Sequence, residues 1–335
     1  MDPLTQGTLG AAFTQSFVKK RPQVRMAAGF GFLGGIAADI DVLIRSNTDP
    51  LLFLDYHRHF THSLAFIPIG GLLCATLAHL LFRKRTQLPF LTTFLFCTLG
   101  YATHAVLDAC TTYGTMLLWP FSDARMAWNV IAIIDPLFTL PMLAAVIAAV
   151  RTQNTRYAQA GMIWGALYMG LATLQHSQAL TMAEQIAAGR GHIILRVEAK
   201  PSFGNILVWK TITETSDAFY VDAVRTGFAP KTFEGVQIAK LDISRDLPWL
   251  SPSSQQARDV ERFRRFSDNF VAMDPVIPNR IIDVRYSFVP NDIGALWSIG
   301  LKPTADDAAH ATYQDHRNNA RAGVEKLWKM LTSAS

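Results

Sequence analysis

Apolar residues fall in long, nearly unbroken runs as far as about residue 182, and in short alternating runs after it. A helix crossing the hydrocarbon core of a bilayer needs roughly 20 mostly apolar residues. Stretches 62–82, 88–107, 128–150 and 160–180 meet that length. A fifth stretch, 27–44, is rich in Gly and Ala and carries Asp39 and Asp41 at its far end; a sixth, 3–18, is short and mildly apolar. Asp2-Pro3 suits a helix start, with an acid at the cap and a proline at the first helical position. Beyond residue 185, period-two alternation of β-branched and aromatic residues in 192–198, 206–212, 218–222 and 280–289 predicts strands. Residues 253–270 predict a charged helix, with Ser251-Pro252 ahead of it as the start. The expected architecture is an all-α polytopic membrane bundle of about six transmembrane helices over 1–182, followed by a small β-rich or α+β domain over 183–335.

Composition agrees with that division. The chain has 335 residues, 50% hydrophobic and only 17% charged, against about 25% charged in ordinary soluble domains. The net charge of +5 is modest and has no dense basic patch, so nucleic acid is not an expected partner. Cys74, Cys97 and Cys110 are scattered and form no CxxC pair; two of them lie in apolar runs and read as packing residues. Residues 1–18 lack a basic leading segment, so no cleavable signal peptide is expected.

Charge also orients the bundle. Lys19, Lys20, Arg21 and Arg25 separate the first two apolar stretches, Arg83, Lys84 and Arg85 the next two, and Arg151 and Arg156 the last two. With six spans these connectors share one side, which the positive-inside rule makes the cytoplasm. The N-terminus, the 45–61 and 108–127 loops and the C-terminal domain are then extracytoplasmic. Gln6, Asp39, Asp41, His57, His62, His104, Asp108 and Asp135 all come to the non-cytoplasmic ends of their segments.

Imidazoles and carboxylates beside apolar runs mark candidate chemistry, because burying ionisable groups near hydrocarbon is expensive. His104 and Asp108 are one helical turn apart on one face and can share a cation. His57, His59 and His62 lie ahead of an apolar span, with Thr61 placed as its cap. Asp39 and Asp41 point to opposed faces of a continuous helix, so both serve one site only if the helix ends near Ala38 or if one carboxylate orients a ligand from outside. Asp135 precedes Pro136 in an apolar run, as an added ligand, a catalytic carboxylate or a partner of the proline kink. Arg58 is a candidate for holding an anionic group, whereas Arg125 reads as an interfacial arginine.

These residues resemble a known family. Asp2-Pro-Leu-Thr-Gln-Gly-Thr-Leu-Gly-Ala11, Ala38-Asp-Ile-Asp41, His57-Arg-His-Phe-Thr-His-Ser63, His104-Ala-Val-Leu-Asp108 with Tyr113-Gly114, and Asp135-Pro136 make the chain similar to the YdjM/YbcI family of inner-membrane proteins, whose metal-dependent hydrolase activity is itself inferred. The resemblance covers the membrane half; the tail matches more loosely. It implies metal ligation by Asp39, Asp41, His57, His62, His104 and Asp108 and a multi-pass bacterial inner-membrane location. Members usually carry His where this chain has Gln6, and often Gly where it has His59.

The expected function is a membrane-bound metal-dependent hydrolase at the outer face of the inner membrane, with Asp135 and Arg58 as catalytic candidates. The cofactor is a divalent metal, zinc first and manganese second. Its partners are the bilayer and a phosphoester or lipid headgroup. The alternative is a cation- or proton-coupled transporter using the same acids and histidines, which the placement at one membrane face rather than the midplane disfavours. A non-catalytic scaffold fits worst, given the density of ligand-type residues.

Overall fold

The computed structural model describes residues 1–316 and 320–333. They divide into two compact units, one of residues 1–43, 56–173 and 203–205, the other of 44–55, 174–202 and 206–335.

The first unit is helical. Its elements are α1 (Pro3–Ser16), α2 (Val24–Ala37), a 3-10 segment Ala38–Leu43, the 3-10 turns Phe60–His62 and Leu64–Phe66, α4 (Ile67–Thr86), α5 (Phe90–Ala109), α6 (Pro136–Thr152) and the first part of α7 (Thr155–Gly189); α3 (Leu52–Tyr56) ends where the unit resumes. Asp2 caps α1, its side chain accepting from the Thr5 N–H. Helices stand at all six expected places, but among the described residues only Arg21–Leu43, Leu64–Thr86 and Phe90–Ala109 are long and apolar enough to cross a membrane. α6 has 17 residues, because Asp135 caps it through the Leu137 and Phe138 N–H groups and the chain before it is not helical. The expected run 128–150 therefore starts late. α7 has 35 residues but does not count among the stretches apolar enough to cross.

α1, α2 and α5 pack through their backbones. A Cβ on Gly100 of α5 would lie 2.1 Å from the Gly31 carbonyl oxygen of α2, and one on Gly34 would lie 2.1 Å from the Cys97 carbonyl oxygen. Small residues allow this approach, which replaces the hydrophobic effect as the source of helix association in lipid. The contact sets the level of α5 against α2, and with it the positions of His104 and Asp108.

The second unit carries two antiparallel meanders, β1–β4 (Arg196–Pro201, Val208–Glu214, Ala218–Arg225, Lys231–Ala239) and β5–β8 (Val271–Met273, Arg280–Asp283, Trp297–Gly300, Thr312–Asp315). Ile212, Phe219 and Val221 of the first sheet meet Phe270, Ala272 and Ile282 around the second in one buried cluster. Helices α8 (Ile243–Asp246), α9 (Gln255–Phe266) and α10 (Ala320–Thr332) complete it. The cap of α9 is Ser254, whose side chain accepts from the Ala257 N–H, and not Ser251-Pro252. Arg262 of α9 grips the 44–55 segment, its Nη1 donating to Asp49 at 2.9 Å and its Nη2 to Asp55 at 2.7 Å.

Candidate metal centre

Four side chains from three segments converge inside the helical unit. α2 ends at Ala37, and the tighter 3-10 winding from Ala38 turns Asp39 and Asp41 to positions a continuous helix would not give them. α5 supplies His104 and Asp108, and the Phe60–His62 turn supplies His62. Ser63 caps the following turn by accepting from the Phe66 N–H. Thr61 is not that cap: its hydroxyl donates to Asp41.

One donor atom each from Asp39, His62, His104 and Asp108 lies within 4.8 Å of the other three. The Nε2 atoms of His62 and His104 face each other at 2.9 Å. Asp39 Oδ1 is 3.4 Å from both nitrogens, and Asp108 Oδ2 is 3.2 Å from His62 and 3.5 Å from His104. A tetrahedral ion with ligand bonds of about 2.0–2.2 Å has ligand–ligand edges of roughly 3.3–3.6 Å. The imidazole–carboxylate spacings match those edges, and the imidazole pair is a few tenths of an ångström tighter. His62, His104 and Asp108 are fully buried, and Asp39 alone keeps 22% of its side chain exposed.

The atoms pointing away from the centre are already engaged. His104 Nδ1 donates to the Gly35 carbonyl at 2.6 Å, which turns Nε2 toward the centre. His62 Nδ1 faces Thr61 Oγ1 at 3.0 Å and Asp41 Oδ2 at 3.2 Å. Gln6 Nε2 donates to Asp108 Oδ1 at 2.9 Å, and the Met1 nitrogen reaches the same oxygen. Asp108 Oδ2 is buried and meets only ion-pair contacts, Arg58 Nε at 3.1 Å and the two imidazoles, without a well-aligned hydrogen bond. Two imidazole nitrogens and two carboxylate oxygens, aimed inward and held from behind, form a donor set that suits a borderline divalent ion.

Asp41 and His57 stand one step out. Asp41 accepts from the Arg58 and Thr61 donors and pairs with His57 Nδ1 at 2.9 Å. Neither belongs to the group of four. Arg58 lies at φ +59°, with its Nε 3.1 Å from Asp108 Oδ2 and its Nη1 donating to Thr111. Asp135 is spent on local structure: Oδ1 takes the Leu137 and Phe138 N–H groups and Oδ2 the Tyr168 hydroxyl at 2.8 Å. Arg125 donates to the His57 and Gly114 carbonyls. Gln6 does sit at the cluster, through its amide nitrogen, while its Oε1 is buried without a hydrogen-bond partner. Sequence reasoning missed Tyr101, whose hydroxyl donates to the Thr61 carbonyl at 2.7 Å and steadies the turn before His62. Its spacing, three residues before His104 on the same helical face, was the available signal.

Comparison with known proteins agrees with these motifs. The family profile described as YdjM inner membrane protein matches residues 1–179. The chain is 24% identical over 289 residues to uncharacterized protein YfhP of Bacillus subtilis (strain 168), covering 83% of each. It is 38% identical over 81 residues to inner membrane protein YbcI of Escherichia coli (strain K12), which spans 23% of this chain and 44% of that one. No solved structure matches.

Proposed function

This chain belongs to the YdjM inner membrane protein family, and from that membership and its four-donor cluster we propose a membrane-bound metal-dependent hydrolase. The observation that carries the reading is the facing pair of His62 and His104 Nε2 atoms, with Asp39 and Asp108 oxygens beside them and the outer nitrogens occupied. Two buried histidines and two carboxylates, turned toward one point with their outer atoms already engaged, form a ready donor set for a cation.

Asp39, His62, His104 and Asp108 hold the ion, zinc first and manganese second. Asp41 orients His62 and His57 from outside. A divalent ion held there supplies Lewis-acid polarisation of the scissile bond. Asp39, at the open side, accepts the proton of the attacking water. Arg58 balances the Asp108 charge and binds the anionic part of the substrate. That substrate is a phosphoester or lipid headgroup presented at the outer membrane face, the side to which the basic connectors assign the site. Asp135 has no part in the chemistry, since both its oxygens serve the α6 cap and Tyr168.

The test is metal content and phosphoesterase turnover of the full chain in detergent, before and after chelation. Turnover lost on chelation and restored by zinc or manganese supports the reading. Metal-dependent ion flux in proteoliposomes without turnover would favour the transporter instead. A reporter joined to the C-terminus tests the orientation and should be active only outside the cytoplasm.

A further inference from the structure

A second place in the molecule has the parts of a catalytic site, entirely within the second unit and independent of the metal centre. Lys210 sits on β2, paired across the sheet with Lys200 and Ala223 and only 4% exposed. Its amine donates to Ser287 Oγ at 2.9 Å and to the Asp292 carbonyl at 2.7 Å. Ser287 is half-buried, and its hydroxyl donates to the Val289 carbonyl at 2.7 Å. Ser287 also lines a cavity of about 550 Å³, with Val276, Phe288 and Ile293 among its apolar walls and Arg280 and Lys326 among its charged ones. Cavities of about 300–1,000 Å³ with a few convergent polar groups are the usual form of small-molecule sites.

We propose that Ser287 and Lys210 form a nucleophile–base pair that cleaves small esters or amides with an apolar acyl group. A serine needs a neutral base within hydrogen-bond reach to become a nucleophile, and lysine serves as that base in serine–lysine sites on unrelated folds. Burial supplies the neutrality: desolvation pushes the Lys210 ammonium down to about 7, against the opposing pull of Asp292 and Asp283 and with help from Lys200. Once neutral, the amine has a lone pair toward Oγ, and the hydroxyl turns from Val289 to meet it. Oγ then bonds to the substrate's carbonyl carbon while its proton passes to Lys210 Nζ. The bond from that carbon to the leaving oxygen or nitrogen breaks, and the leaving group takes the proton from Nζ. Water next attacks the acyl-serine ester, giving one proton to Nζ and then to Oγ, so that acid is released and both residues are restored.

Fluorophosphonate labelling of the full chain in detergent, with the adduct located by peptide mass spectrometry, tests this pair. The expected result is an adduct on Ser287 whose formation rate rises with pH through an inflection near 7 and is unchanged by chelation. Lys210→Met should slow it by about 100-fold or more, the usual range for removing a general base, and Ser287→Ala should abolish it. No adduct on Ser287 in the unaltered protein, or a rate flat with pH from 6 to 9, overturns the proposal without relying on any variant. Equal labelling of folded Lys210→Met overturns it as well.

Discussion

At the scale of single residues the centre separates into atoms that point inward and atoms that hold them. Asp41 belongs to the second group, since its oxygens meet His57, Thr61, the Arg58 N–H and the outer face of His62. Groups in that position typically cost 10–100-fold in metal affinity when lost. Asp41→Asn is therefore expected to weaken binding by about that factor in competition with a chelator, while one ion per chain still binds at saturation. Arg58 poses a sharper question. Its φ of +59° is a conformation glycine adopts without strain and arginine does not. Arg58→Gly should relax the backbone, yet abolish turnover, because Asp108 loses its Nε partner at 3.1 Å. Full activity in that variant would reduce Arg58 to a structural residue. The residue types here are legible from spacing: a His and an Asp one turn apart, two acids just past a helix end, and histidines before a span. The sorting into inner and outer groups is not, because it depends on which nitrogen the Gly35 carbonyl and Thr61 occupy, and no spacing encodes that.

At the scale of elements, contact between backbones fixes the site. Gly100 stands one turn before His104, and its missing side chain lets α5 approach the Gly31 carbonyl. A methyl at Gly100 would force the helices apart, and overpacking of this kind costs about 1–3 kcal/mol. Gly100→Ala should thus lower stability by that amount and weaken metal binding together. Gly170 is the internal control, since a Cβ there meets nothing within 4 Å. Gly170→Ala should raise stability by about 0.5–1 kcal/mol through helix propensity and leave the metal alone. Thermal or denaturant unfolding beside a metal titration reads both. Apolar length revealed where the helices lie and placed α5 within a few residues at each end. It does not locate the start of α6, because an Asp-Pro pair inside an apolar run fits a kink as well as a cap, and here Asp135 is the cap. In the tail the Lys231–Ala239 strand alternates but also carries Lys, Glu, Gly and Gln, which weakens its strand signal.

The whole molecule joins a family-defining helical unit to a tail with its own buried charges. Lys210 sets a pH signature for that tail. Its folded value of about 7 lies below the ordinary lysine value of 10.5, so between these limits the unfolded chain binds one more proton than the folded one. Stability should therefore rise with pH across that window, by about 1.4 kcal/mol per unit, and level off on both sides. Hydrogen-exchange protection of the β2 amides, corrected for intrinsic exchange, should show the rise and lose the Lys210 share of it in Lys210→Met, the neighbouring buried Lys200 supplying a rise of the same sign. A tail whose protection is flat from pH 7 to 10 would contradict the buried amine.

The central claim, that dispersed imidazoles and carboxylates meet around one cation, is tested most directly by X-ray absorption at the metal edge of the purified full chain. One ion per chain is expected, with two imidazoles among N/O neighbours at about 2.0–2.2 Å, and with the imidazole signal diminished in His62→Ala. A protein that binds no divalent ion, or one whose ion shows no imidazole scattering, would contradict the account.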